Sequence, residues 1–312
     1  MNASRYSTHL ALVGMAALWG ASWPWGRIVA QAMPPLAAAC LRFLLASIVL
    51  VLWLQRSGRM GTLRALNARQ WAGLGCASAV GVLGYSIFFL LALKNVPAGK
   101  AAMVVALNPV LTLLFAVLLF HEAVNGVMCL GVVLAVTGAL YALSGGSLTA
   151  LQPGQSGTGE VLLLGCAACW VGYTLIGRMV LITVDALTTT AVTATIGAGL
   201  LFIASMVLEG PAKWLALAAA PATAWYSIFA LAFGATALAY AWYLQGVKVL
   251  GAGAAAAYMS LVPLFGLLFS GFWLGEPFTA SLLRGGALAI VGMLLMNLGR
   301  AGLTKRRTRT SH

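Results

Sequence analysis

Charge is what this chain has least of. Asp, Glu, Lys and Arg together make up 7% of its 312 residues, where a soluble globular domain carries about 25%. A water-facing surface cannot be built from so little. Histidine occurs three times, and there is neither a metal-spaced His pair nor a Gly-x-Ser-x-Gly nucleophile elbow. The one embedded histidine, His121, stands beside Glu122 at the end of an apolar run, which is a poor start for an intramembrane enzyme. Acidic residues number five, and none falls in the middle of an apolar run, so an obvious carboxylate proton relay is missing. Proton coupling is left to His121, Glu122 or a carboxylate at a helix end. The five cysteines (Cys40, Cys76, Cys129, Cys166 and Cys169) all lie inside apolar runs, which excludes a disulfide framework and a thiolate metal site. Cys166 and Cys169 form a C-x-x-C, but without a second pair they read as small residues on a buried helix. No metal and no cofactor are expected.

What fills the chain is apolar. Hydrophobic residues make up 62% of it and the mean hydropathy is +0.98. Runs of about twenty apolar residues recur along the whole length, each long enough to cross a hydrocarbon core of about 30 Å. Pro, Gly and charge clusters punctuate them into ten predicted spans: 10–31, 36–55, 70–93, 98–119, 125–144, 159–180, 186–207, 223–246, 251–274 and 280–299. The first lacks a small-residue cleavage site and is read as helix one, not as a signal peptide. The longest polar stretch, with Gln152-Pro153-Gly154-Gln155-Ser156-Gly157, falls at the midpoint and is expected to link two five-helix halves. The predicted organisation is a first half over 10–144, a linker over 145–158, a second half over 159–299 and a basic tail over 300–312.

Eighteen Lys and Arg against five acids give a net charge of +13. They are dispersed between the apolar runs, not gathered on one face as a nucleic-acid binder would require, so they read as determinants of topology. With ten spans both termini share a side. That side receives twelve basic residues and the other six, which predicts both termini in the cytoplasm.

An internal duplication organises the chain. Lys94, Ala98, Gly99, Ala101, Ala102, Leu107, Pro109, Leu113, Leu114, Phe115 and Glu122 recur as Lys248, Ala252, Gly253, Ala255, Ala256, Leu261, Pro263, Leu267, Leu268, Phe269 and Glu276, each pair 154 residues apart. Gly131 and Gly138 match Gly285 and Gly292 at the same separation, and Trp19, Gly26 and Arg27 match Trp170, Gly177 and Arg178 at 151. Because each half has an odd number of spans, the second must enter the membrane from the side opposite to the first. Inverted repeats can exchange conformations around a site near the bilayer midplane, which is the need of a carrier. A passive channel would instead call for symmetry about the membrane normal or a polar pore lining.

These residues carry a resemblance. An opening small-residue helix with a Trp (Leu18-Trp19-Gly20-Ala21-Ser22 and Cys169-Trp170-Val171-Gly172-Tyr173), then a helix with a mid-helix Pro that ends in Glu (Pro109 to Glu122 and Pro263 to Glu276), resembles the EamA repeat of the drug/metabolite transporter superfamily over about residues 10–299. The resemblance implies an all-α integral membrane protein of ten transmembrane helices in two inverted five-helix repeats, and transport of a small molecule. The whole is most similar to ten-helix amino-acid exporters, aromatic amino-acid exporters among them. Sugar carriers and cation-drug exporters are relatives too. Those that export organic cations use a carboxylate deep in the first helix, and Leu12 to Trp25 contains none, which points to zwitterionic or neutral substrates. The duplication would supply in one chain what smaller relatives build as dimers, so a monomer suffices.

Candidate pathway residues follow from what hydrocarbon will not tolerate. Pro109 and Pro263 each remove a backbone hydrogen bond at depth, which requires a face toward protein or a wet cavity; they serve either as gating breaks or as kinks that shape packing. Asn108 and Ser260 stand beside them. Central aromatic residues are not explained by an interfacial belt, as Trp53, Trp71, Trp214 and Trp225 are. Trp19, Ser22 and Trp23, Tyr85 and Phe89, Trp170 and Tyr173, Tyr240 and Tyr243, and Tyr258 are therefore candidates for a substrate cavity walled by stacking surfaces, although such stripes more often serve packing than a site. Gly131, Gly138, Gly285 and Gly292 read as helix packing. Arg42, Lys100, Glu160 and Arg284 are expected near span ends, where the basic chains snorkel; Lys94 and Lys248, repeat partners at the ends of helices three and eight, either attract a carboxylate group of a substrate or, more simply, snorkel and bias the topology.

Overall fold

Apolar segments can enter hydrocarbon only if each backbone N–H and C=O is bonded within the protein, and for isolated spans the helix is the solution. In the computed structural model, which describes residues 3–121, 123–146, 157–250 and 252–310, the regular elements are helices throughout. Ten are long: α1 (Ala3–Ala32), α2 (Pro35–Arg56), α3 (Ala68–Asn95), α4 (Ala98–Leu119), α5 (Gly126–Leu143), α6 (Thr158–Val180), α7 (Ala186–Glu209), α8 (Ala222–Leu250), α9 (Ala254–Leu274) and α10 (Ala280–Gly302). Among the described residues, α2 to α10 are the nine that are long and apolar enough to cross a membrane. Helix α1 has 30 residues, about 45 Å at 1.5 Å per residue. Its three tryptophans, Pro24 and Arg27 dilute its hydropathy.

The ends fall close to the predicted ones, with two exceptions. Helix α1 starts at Ala3 instead of residue 10. The last helix does not stop at 299; it runs on to Thr310. The predicted linker's residues 147–156 lie outside the described residues, as does Glu122.

Helix starts are set by local chemistry. Asn67 and Gln70 form a reciprocal capping box at α3, with both bonds at 2.9 Å. The Asn125 side chain accepts from Met128 N–H at 2.9 Å and donates to the Gly299 carbonyl at 2.8 Å, so one amide caps α5 and ties it to α10.

The duplication extends to the helices' irregularities. A π-helical stretch interrupts α3 at Ala79–Gly84 and α8 at Ala230–Leu238. A 3₁₀ stretch interrupts α4 at Met103–Ala106 and α9 at Tyr258–Leu261. Shifted by 154 residues, each first-half stretch falls on or within one residue of its partner. The 3₁₀ stretches have a cause in the sequence. Pro109 and Pro263 cannot donate to the carbonyl four residues earlier, so the preceding turn tightens. The left-handed helix end is duplicated too: His121 (φ 52°) ends α4 and Gly275 (φ 65°) ends α9.

Repeat-equivalent helices run antiparallel. In the pair α5 and α10, a Cβ on Gly131 would lie 2.6 Å from the Gly292 carbonyl oxygen, and one on Gly292 would lie 2.6 Å from that of Gly131; Gly138 and Gly285 stand in the same reciprocal relation. As the number rises along α5 it falls along α10. Helices α4 and α9 behave likewise, Gly99 lying near Ser270 and Ala102 near Gly266. So do α2 and α7, where Cys40 Sγ–H donates to the Ala198 carbonyl while Leu36 N–H reaches Glu209. Two duplicated helices that pair head to tail are what an inverted repeat requires.

The chain divides into two compact units that do not follow the sequence halves. One comprises Met1–Pro24, Val96–Glu160 and Ala241–His312; the other comprises Trp25–Asn95 and Val161–Tyr240. Each draws on both copies of the repeat. The first is held by the glycine seam of α5 and α10 and by a cluster of Met103, Ala142, Leu267 and Leu282. The second contains the α2 and α7 pair and a cluster of Leu74, Val180, Val184 and Val192.

Candidate functional site

The acidic residues come first, because so few exist. Glu276, placed just past the left-handed Gly275, reaches back to accept from the N–H groups of Ala98 (2.7 Å) and Gly99 (2.8 Å) at the start of α4. Glu209, at the end of α7, accepts in the same way from Leu36 (2.9 Å) and Ala37 (3.0 Å) at the start of α2. Asp185 caps α7: it accepts from Thr188 N–H at 3.2 Å and from the Thr188 hydroxyl at 2.6 Å, and pairs with Arg59 at 3.0 Å. Burial alone would raise the Asp185 carboxyl, but the Thr188 and Arg59 donors outweigh it and hold the group below the ordinary carboxylate range. Glu160 pairs with Lys100 at 2.8 Å, so Lys100 does not snorkel freely as expected. All four described carboxylates therefore hold helix ends or cations together.

In the first unit, the rings of Trp19 and Tyr243 meet at 5.6 Å. The Tyr258 hydroxyl bonds His9 Nδ1 at 2.5 Å, and Asn297 Nδ2 donates to Ser260 Oγ at 3.4 Å. Ser22 donates to its own helix, at the Trp19 carbonyl. Trp23 is 2% exposed and packs near Gly266, so packing explains it. Asn108 is 8% exposed, with an Oδ1 that accepts no hydrogen bond. An orphan acceptor at depth beside the broken turn of α4 suits a ligand-facing role.

In the second unit four of the predicted aromatic residues form one row. Phe89 stacks on Tyr85 at 5.7 Å, Tyr85 meets Trp170 at 5.8 Å, and Trp170 meets Tyr173 at 6.2 Å. Glycines make room for it: Phe89 lies on the backbone of Gly26 and Tyr173 on that of Gly81, inside the π stretch of α3.

Arg42 continues that row. Its guanidinium lies over Phe43 at 5.1 Å and over Phe89 at 6.0 Å, within electrostatic reach of Tyr85 and Tyr240. Its Nε and Nη2 approach Thr236 Oγ1 at 3.4 and 3.3 Å. Thr236 stands at the centre of α8, so the charge lies at mid-span and does not snorkel, contrary to the sequence expectation. Sequence reasoning missed Arg42 because numbering puts it only about 10 Å along α2; the direction of its side chain is a tertiary fact.

A multi-pass helical protein of duplicated helices in antiparallel pairs, with matched interruptions beside its buried polar groups, has the construction of a membrane transporter. The chain belongs to the EamA-like transporter family, which matches residues 7–144 and 157–298, one match per repeat. It is 27% identical to the "Uncharacterized transporter YyaM" of Bacillus subtilis over 92% of both chains. It is 26% identical to the "Probable terminal-alkyne amino-acid exporter" of Streptantibioticus cattleyicolor over 95% of both. A solved crystal structure, 20% identical, superimposes with a TM-score of 0.67 over 94% of this chain and 99% of that one, which is a likeness of fold.

Proposed function

We propose that this transporter carries amino acids, aromatic ones included, or related small metabolites out of the cytoplasm by alternating access. The two copies, 10–144 and 159–299, exchange conformations during the cycle, with Pro109 and Pro263 as the breaks at which α4 and α9 adjust. It works as a monomer in the inner membrane with both termini in the cytoplasm and needs no cofactor. The observation that carries this reading is the aromatic row of Phe89, Tyr85, Trp170 and Tyr173 together with the engagement of the four described carboxylates at helix ends. Aromatic faces suit a ring or an aliphatic body, and a cationic drug would find no uncommitted counter-charge among those carboxylates. The name of the Streptantibioticus relative supports the same substrate class.

Counterflow in proteoliposomes tests it. Protein loaded with unlabelled amino acid should take up labelled amino acid with saturation and trans-stimulation, and Trp170→Ala or Tyr85→Ala should slow this by about tenfold, the worth of one aromatic contact. Exchange of sugars or organic cations, with none of any amino acid, would replace this reading with another solute of the superfamily.

A further inference from the structure

A small cavity within the second unit is lined by Arg42, Ser86 and Phe89, with Val29, Leu90 and Ile228 among the apolar residues that close it. Its chemistry is one-sided. Arg42 carries five N–H donors, and among the described residues its guanidinium meets no acceptor but Thr236 Oγ1, at long distance, and forms no ion pair. Ser86 is 3% exposed and its hydroxyl has no hydrogen-bond partner among the described residues. Two sets of donors thus face one cavity that supplies no carboxylate. A half-buried cation without a counter-ion and a buried hydroxyl without an acceptor are each costly. A ligand that brings acceptor oxygens and a negative charge removes both costs at once.

We propose that Arg42 and Ser86 bind the carboxylate group of the transported solute, with the body of the solute against Phe89 and the aromatic row beyond it. The proposal rests on the transport reading above and deepens it: the required feature is a carboxylate, with or without an amino group. The cavity holds about 10 Å³ in this state and must widen to admit a carboxylate, which the planar guanidinium can then take through two parallel bonds, with a third from Ser86. Ligation would also draw the guanidinium from Thr236, whose hydroxyl at the same time donates to the Leu231 carbonyl, at 2.9 Å, inside the π stretch of α8. Solute binding is thereby linked to an irregular turn at the centre of a long helix.

The test is ligand-dependent thermal stabilisation of the purified full chain at constant pH and chloride, with four probes: L-phenylalanine, L-phenylalaninamide, 3-phenylpropanoate and phenethylamine. Both carboxylates should stabilise the wild type, and the amide and the amine should not. Arg42→Gln should weaken carboxylate binding by about tenfold to a hundredfold, and Arg42→Lys should restore part of it. Ser86→Ala separates binding from structure. Removing an unpartnered buried hydroxyl should leave the melting temperature without ligand unchanged or higher, yet weaken the response to carboxylates several-fold. Should Arg42→Gln fail to fold, the wild-type comparison of acid with amide and the Ser86→Ala response decide. Equal stabilisation by phenylalanine and its amide, unchanged in the variants, overturns the site and leaves the amino-acid reading standing. Stabilisation by 3-phenylpropanoate but not by phenylalanine upholds the site and overturns that reading. No response of the wild type to either carboxylate overturns the site.

Discussion

At the scale of residues, the ends of α4 and α9 explain how scarce polar groups are used. His121 and Gly275 occupy equivalent positions and both take left-handed conformations, φ 52° and 65°, but only glycine does so without steric cost. His121→Gly should therefore raise thermal stability by about 0.5–1 kcal/mol. Glu276→Ala should lower it by about 1–2 kcal/mol, because two backbone donors at the start of α4 lose a charged acceptor. Thermal unfolding of the two variants in the same detergent checks both signs. A loss of stability in His121→Gly would mean that the imidazole does something other than end a helix.

At the scale of elements, the seam between α5 and α10 is a backbone-to-backbone contact. Any Cβ at Gly138 would meet the Gly285 carbonyl oxygen at 2.6 Å, and a backbone atom cannot turn aside as a side-chain tip can. Gly138→Ala should cost about 1–3 kcal/mol. A Cβ at Gly199, inside α7, would meet nothing within 4 Å, so Gly199→Ala should gain about 0.5–1 kcal/mol from helix propensity. Equal effects of the two substitutions in an unfolding assay would show that the seam is looser than its geometry. The same close approach explains why four glycines, conspicuous in the sequence at matched positions, were legible as packing. The π stretches in α3 and α8 were not legible, because no residue type demands them; Gly81 inside the first leaves room for the Tyr173 ring.

At the scale of the whole molecule, the antiparallel pairing of α5 with α10 sets an outcome for topology. Cysteines placed after the two helices, as Gly145→Cys and Gly302→Cys in a background without the five native cysteines, should react with an impermeant thiol reagent from opposite sides of the membrane. Labelling of both from one side would be incompatible with inverted repeats. The number and approximate ends of the helices were readable because hydrocarbon imposes a length and an apolar composition that no neighbour can alter. The division into compact units was not readable, since each unit collects segments from both halves and depends on which helices pair.

The sequence by itself determined that this is a membrane protein, that its two halves are copies, that the copies oppose one another, and that α4 and α9 break at Pro109 and Pro263. Each of these follows from composition, counting or a missing N–H, which are properties of the chain before it folds. Only the tertiary structure decided which candidates meet. It joined Phe89, Tyr85, Trp170 and Tyr173 in one row, sent Trp23 and Ser22 to packing and local bonds, and turned Arg42 inward to the centre of α8. The physical reason is that a side chain's partners depend on the rotation and pairing of separate helices, and these are fixed by contacts between residues far apart in the chain.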